Sequence, residues 1–172
     1  MVGEDGRVTT VEPEGARVRV RDATAGDAAA ITAVAATRGA LPQDHRARVG
    51  AWVGDRSRHV VVAEVDGDVV GWAMLARWTG HDDAPEGWFV SALTVLPERR
   101  GCGTGGRLLA DVVRRGAGSP VHSVVNATNV ASLAVHRRRG FTEVGRAARY
   151  AGIEFDGGTG VLLRHPGGQE QG

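Results

Sequence analysis

Apolar and polar positions alternate over residues 18–21, a two-residue period that predicts a first β-strand. The stretch at 25–39, AGDAAAITAVAATRG, is alanine-rich and sets Ile31, Val34 and Ala35 at helical spacing, with Thr24 or Asp27 placed to cap its start. A weaker helical period covers 43–55 through Val49, Trp52 and Val53. Two apolar runs, HVVVAEV (59–65) and DVVGWAML (68–75), are separated by Asp66-Gly67, a pair that favours a tight hairpin. After a polar loop, GHDDAPEG (80–87), the segment WFVSALTVLP (88–97) reads as a long buried strand. Residues 103–115 carry Leu108, Leu109, Val112 and Val113 on one helical face. VHSVV (121–125) follows as a strand, 129–139 as a short helix, and FTEVGRAARY (141–150) and GTGVLLR (158–164) as two closing strands. The order β-α-α-β-β-β-α-β-α-β-β implies a mixed α/β sheet with helices packed on it. Residues 1–15 and 167–172 are polar and aperiodic and read as flexible tails around a single domain at 16–166.

Composition narrows the function classes. A chain of 172 residues with 42% hydrophobic and 24% charged side chains suits one soluble globular domain. The net charge of +1 gives no global attraction for nucleic acid or a membrane surface, so any anion site must come from local clustering. All 21 basic side chains are arginine, which excludes lysine Schiff-base chemistry. The single cysteine, Cys102, cannot form an internal disulfide, and no stretch has the pattern of a secretion signal or a membrane span. A cytoplasmic location is the expectation. The Asn126-Ala127-Thr128 sequon carries no information in that setting.

The clustering is at 93–109, LTVLPERRGCGTGGRLL. An apolar strand runs into a basic, glycine-rich loop that opens an amphipathic helix. Backbone N–H groups in such a loop converge on an anion at the helix N-terminus, and Arg99, Arg100 and Arg107 add full charges. Gly101, Gly103 and Gly106 match the dinucleotide pattern G-x-G-x-x-G, but they lie mid-chain and the next strand ends in Asn126 rather than an acidic residue. P-loop spacing fails as well, since Arg107 and Leu108 stand where Lys and Ser/Thr are needed and no hydroxyl is left for magnesium. No metal is expected. Cys102 has no histidine beside it in sequence and reads as a small loop residue, not a nucleophile.

Arg100, Gly103 and Gly105 form R-x-x-G-x-G behind the strand that ends in Val95-Leu96-Pro97, and a second motif, NVASLAVHRRRGF, follows at 129–141. In this order, one strand apart, the two motifs strongly resemble the GNAT superfamily of acyl-CoA N-acyltransferases over about residues 17–164. The resemblance implies an α/β (α+β) fold with a mixed, mostly antiparallel sheet and a splayed central strand pair at an acetyl-CoA site. It places the pyrophosphate on Arg100, Gly101, Cys102, Gly103, Thr104, Gly105 and Gly106. It sets the pantetheine arm along Leu93, Thr94 and Val95, and assigns Asn129 and Ser132 to the cofactor. The Val95 N–H would polarise the thioester carbonyl.

The family commonly places a tyrosine acid four residues before the Gly-Phe pair; here that position is His136, which resembles the phosphinothricin and amino-acid-derivative branch. Asn129, Ser132, Leu133 and His136 share one helical face, so His136 could meet the cofactor as a proton donor. Equally, His136 reads as a partly buried helix histidine in a basic stretch, His136-Arg137-Arg138-Arg139, that forms a solvated face. The central strand has no carboxylate, only Ser91 and Thr94 as polar side chains, so the general base is sought in Glu86, with His81, Asp82 and Asp83 as alternatives. Trp78 or Trp88 could wall an acceptor pocket. The function this implies is acetyl transfer from acetyl-CoA to the primary amine of a small molecule by direct attack, with a homodimer allowed and neither nucleic acid nor membrane as partner. The rivals are a protein or peptide acetyltransferase recruiting a basic substrate through the acidic loop 80–87, and a non-catalytic acyl-CoA sensor.

Overall fold

In the computed structural model, which describes residues 17–167, the apolar run at 59–65 is buried on both faces. Val60 and Val62 face one helical layer, and Val61, Ala63 and Val65 face another. Such two-sided burial is why the run shows no polar alternation. The expected tail at 1–15, and all of the C-terminal tail except Gly167, lie outside the described residues.

The elements are β1 (Arg19–Asp22), a 3-10 turn (Ala25–Asp27), α1 (Ala28–Ala36), α2 (His45–Val53), β2 (Arg58–Val65), β3 (Asp68–Trp78), β4 (Gly87–Val95), α3 (Thr104–Arg115), β5 (Val121–Asn126), α4 (Val130–Arg138), β6 (Thr142–Ala147), β7 (Arg149–Tyr150), β8 (Ile153–Glu154) and β9 (Gly160–His165). The main sheet has the order β1-β2-β3-β4-β5-β9-β6, and every pairing is antiparallel except β4 with β5. Ile31, Val34 and Val49 of α1 and α2 pack with Trp72 and Met74 on one face. Leu108, Leu109 and Val112 of α3 pack with Ala73 and Leu75 on the other, joined by Leu133 of α4. Asp66 and Gly67 both take positive φ (52° and 87°), the two-residue turn that their sequence predicts. The Asp27 carboxylate accepts the Thr24 N–H at 2.7 Å and pairs with Arg21 at 2.8 Å, tying β1 to the start of the helical layer.

One feature differs from the sequence expectation. FTEVGRAARY is not one strand: β6 ends at Ala147, and β7 pairs instead with β8 around Ala151-Gly152, where both residues have positive φ. Strands of two residues carry no periodicity, so this hairpin left no apolar pattern to read. The splayed strand pair that the family resemblance implies is present, and it shapes the site. β4 pairs with β5 only at Trp88↔Val121, Phe89↔His122 and Val90↔Ser123, although both strands run on. On its other side β4 is bulged: Met74 pairs with Ala92 and Leu75 with Val90, which leaves Ser91 as the extra residue. A bulge bends its strand and adds local twist. The ladder with β5 stops where the bend begins, and the two strands splay apart.

Candidate functional site

Two hollows meet along the open edge of β4. A cleft of about 760 Å³ lies over the start of α3 and the side of α4, and a crevice of about 140 Å³ lies in the fork between β4 and β5. Arg38, Leu93, Asn129 and Ser132 line both.

The glycine loop forms the floor of the larger cleft. Gly101 and Gly103 take positive φ (76° and 79°), conformations that glycine adopts freely and other residues do not. They turn the chain into α3 tightly enough that, among the described residues, the N–H groups of 101–106 find no protein acceptor; the first that does is Arg107, on the Gly103 carbonyl at 3.1 Å. The positive end of the helix dipole lies behind them. Arg38, Arg100, Arg138 and Arg139 line the cleft and no carboxylate does. The result is a local concentration of positive charge in a chain of nearly zero net charge. Gly71 lets α3 come close beneath it: a Cβ there would sit 3.1 Å from both Leu108 Cδ1 and the Thr94 carbonyl.

The splayed edge of β4 carries backbone groups free of β5. Two of its carbonyls are held by arginine side chains: Arg100 Nε donates to Val95 O at 3.1 Å, and Arg38 Nη1 donates to Leu93 O at 3.2 Å. Thr94 points the other way and is buried, though it borders the cleft.

Most residues expected at the site come together there: Leu93, Thr94, Val95, Arg100, Gly101, Gly103, Gly105, Gly106, Asn129 and Ser132 all line the cleft. Cys102 and Thr104 do not. Cys102 is exposed with its thiol turned to the Arg100 carbonyl at 3.7 Å, and Thr104 is buried at the first turn of α3. Asn129 Oδ1 accepts the Ser132 N–H at 3.1 Å and so caps α4 at the mouth of the crevice.

His136 is 2% exposed, so it is no part of a solvated face, whereas the three arginines after it are exposed. Its Nδ1 lies 2.8 Å from the Ser132 carbonyl, which can only accept, so Nδ1 carries the proton. Nε2 then bears the lone pair; it is buried and, among the described residues, has no partner. The ring stands edge-on to Phe141 at 5.0 Å and borders the crevice, not the larger cleft. Burial holds its pKa below the ordinary histidine value, only partly offset by the bond to Ser132. It is a neutral imidazole at pH 7, with no N–H directed away from its own helix.

Ser91 lines the crevice, its hydroxyl accepting from Trp78 Nε1 at 3.0 Å. Glu86 lies outside both hollows, and its carboxylate accepts the Gly80 N–H at 3.2 Å within the β3–β4 loop. Asp83 likewise ties that loop to the β7–β8 hairpin through the Ala151 N–H (2.7 Å) and Arg149 (3.4 Å). His81 packs against Trp78, and Trp78 stacks on Phe89 at 4.0 Å. Trp88 packs with His59 and Arg77, and neither tryptophan lines the cleft or the crevice.

Arg38, Arg138 and Arg139 were not expected. The cleft-facing stripe of α4 is Ala131, Ala134, Val135 and Arg138, one step around the helix from the stripe that holds His136. That helical spacing was readable in the sequence. Arg139 crosses the start of α3, where a Cβ on Gly106 would come within 2.8 Å of its guanidinium. Arg38 reaches Leu93 from 55 residues away, a contact with no local signature.

The acetyltransferase (GNAT) family model matches residues 29–141. Over 92 residues (54% of the chain) the sequence is 36% identical to the N-alpha-acetyltransferase RimI of Mycobacterium tuberculosis. Over 98 residues (53% of the chain) it is 31% identical to an L-methionine sulfoximine/L-methionine sulfone acetyltransferase of Pseudomonas aeruginosa. The chain spans 57% and 56% of the lengths of these curated relatives. Among solved structures, a phosphinothricin acetyltransferase from Sinorhizobium meliloti in complex with acetyl-CoA superposes with a TM-score of 0.70 at 25% identity, over 88% of this chain and 89% of that one.

Proposed function

Because the chain belongs to the acetyltransferase (GNAT) family, we propose that it transfers the acetyl group of acetyl-CoA to the primary amine of a small molecule. The observation that carries this reading is the run of N–H groups at 101–106 without protein acceptors, ringed by arginines and leading along the open edge of β4 into the crevice. A crevice of about 140 Å³ suits the head of a small amine. The Pseudomonas relative named for methionine derivatives, and the phosphinothricin acetyltransferase of similar fold, support that substrate class.

Acetyl-CoA supplies an acetyl group already activated as a thioester. The loop N–H groups and the α3 dipole bind its pyrophosphate, with Arg100, Arg138 and Arg139 adding charge. Leu93 and Val95 would offer backbone groups to the pantetheine amides, and the Val95 N–H would donate to the thioester carbonyl. The amine enters by the fork between β4 and β5, with Ser91 on its wall. An amine arriving as ammonium must lose a proton, and His136, with Nε2 unprotonated, is the base among the residues that line the crevice. As the C–N bond forms and the C–S bond breaks, the imidazolium returns that proton to the departing thiolate. His136 thus acts first as base and then as acid, and Glu86 has no part.

The test is to incubate the protein with acetyl-CoA and a broad panel of amines, following thiol release and the acetylated product by mass spectrometry. Saturable acetyl-CoA binding with transfer to a small amine is expected. Binding without transfer to any member would favour the sensor reading, and transfer to peptide N-termini alone would favour a protein substrate.

A further inference from the structure

Arg38 stands where the two hollows meet. It follows α1, in the turn toward α2, and lines both the cleft and the crevice. Among the described residues, the one hydrogen bond of its guanidinium goes to a neutral acceptor, the Leu93 carbonyl, at 3.2 Å. Arg21, Arg58 and Arg115 each face a carboxylate, but among the described residues none lies within ion-pair distance of Arg38. The crevice it overhangs is lined by no Asp or Glu; its other titratable wall is His136, which is neutral at pH 7. An exposed guanidinium parked on a carbonyl is held weakly, because charge-assisted bonds to a carboxylate are about twice as strong as bonds to a neutral group. The planar fork also matches a carboxylate in bidentate fashion.

We propose that Arg38 is an anion subsite that reads a carboxylate on the acceptor, so the substrate is an amine bearing a carboxylate, such as an α-amino acid. This rests on the acetyltransferase reading above. The acceptor carboxylate draws Arg38 from Leu93, and its amine is left in the fork between β4 and β5. A lysine-rich peptide acceptor is disfavoured there, since Arg38 would repel it.

The experiment compares matched pairs of an α-amino acid and its amide, beginning with L-methionine and L-methioninamide. kcat/KM is measured for each, and acetyl-CoA Kd by calorimetry on the same preparation. The acid of a productive pair should exceed its amide by about 10²-fold, the scale of one charge-assisted bidentate contact. Arg38→Gln should bring that ratio to near one, mainly through acceptor KM, while Arg38→Lys should keep it within about tenfold of the parent. Amides acetylated as well as acids, or a panel in which no carboxylate-bearing amine reacts, would overturn the subsite. A rise in acetyl-CoA Kd that matches the rise in acceptor KM would place Arg38 on the cofactor and overturn it too. Failure to bind acetyl-CoA at all would instead remove the acetyltransferase reading.

Discussion

At the scale of the residue, the protonation state of His136 is set by a carbonyl four positions back in its own helix. The Ser132 carbonyl fixes the proton on Nδ1 at 2.8 Å, and burial keeps the ring neutral, so Nε2 is left as a base without a partner among the described residues. A buried acceptor of this kind costs about 1–3 kcal/mol unless something uses it. If proton transfer uses it, His136→Gln should lower kcat by about 10²-fold with little change in acetyl-CoA Kd. The pH profile separates this from a packing defect. The parent needs neutral imidazole, and its pKa lies below the ordinary value of about 6.5. Activity should therefore hold at neutral pH and fall only on the acid side, and the variant should lose that acid limb. A kcat within about threefold of the parent, alongside a lowered Tm, would make His136 a packing residue. The sequence placed His136 on the right helix but left its face open, because burial depends on Phe141 and the sheet rather than on spacing within α4.

At the scale of the element, the strand–loop–helix from β4 to α3 was legible from its glycines and arginines alone. Its loop works through backbone geometry, and glycine spacing records that geometry directly. Gly103 precedes α3 at φ 79°, where a β-branched side chain is strained by about 1–2 kcal/mol. Gly103→Val should lower Tm modestly and raise acetyl-CoA KM strongly, since the N–H groups of 104–106 lose their common aim. Gly105 has no positive φ, and a Cβ there would make an ordinary 3.7 Å contact with Val95 Cγ2, so Gly105→Val should disturb stability less. Normal acetyl-CoA binding by a folded Gly103→Val protein would show the loop to be misassigned. The bulge at Ser91 was not legible. Nothing in WFVSALTVL distinguishes Ser91 as the unpaired residue, because a bulge is decided by the register of both strands, here by Met74 and Leu75 across the ladder. Glu86 and Asp83 are near the strand in sequence, but their carboxylates bond within the β3–β4 loop and to the β7–β8 hairpin and line neither hollow.

At the scale of the whole molecule, the site occupies the place where the sheet is weakest. β1 to β4 form one antiparallel set and β5, β9 and β6 another, and the two are joined by a parallel ladder running only from Val90 back to Trp88. Elements on both sides of that join line the cleft, β4 and the start of α3 on one and α4 on the other. A ligand seated there bridges the halves and binds only when they are assembled, so its binding energy adds to folding. Acetyl-CoA at about 100 times its Kd should add roughly 2.7 kcal/mol. For a chain of this size, at about 2–4 °C per kcal/mol, Tm should rise by about 5–11 °C. ATP and NAD also present phosphates to the loop. They lack the pantetheine arm that would run along Leu93 and Val95 across the join, so their shifts should be clearly smaller at the same concentration. Thermal melts with the three ligands decide the matter: equal shifts would mean that the loop alone binds and that the splayed edge of β4 contributes nothing.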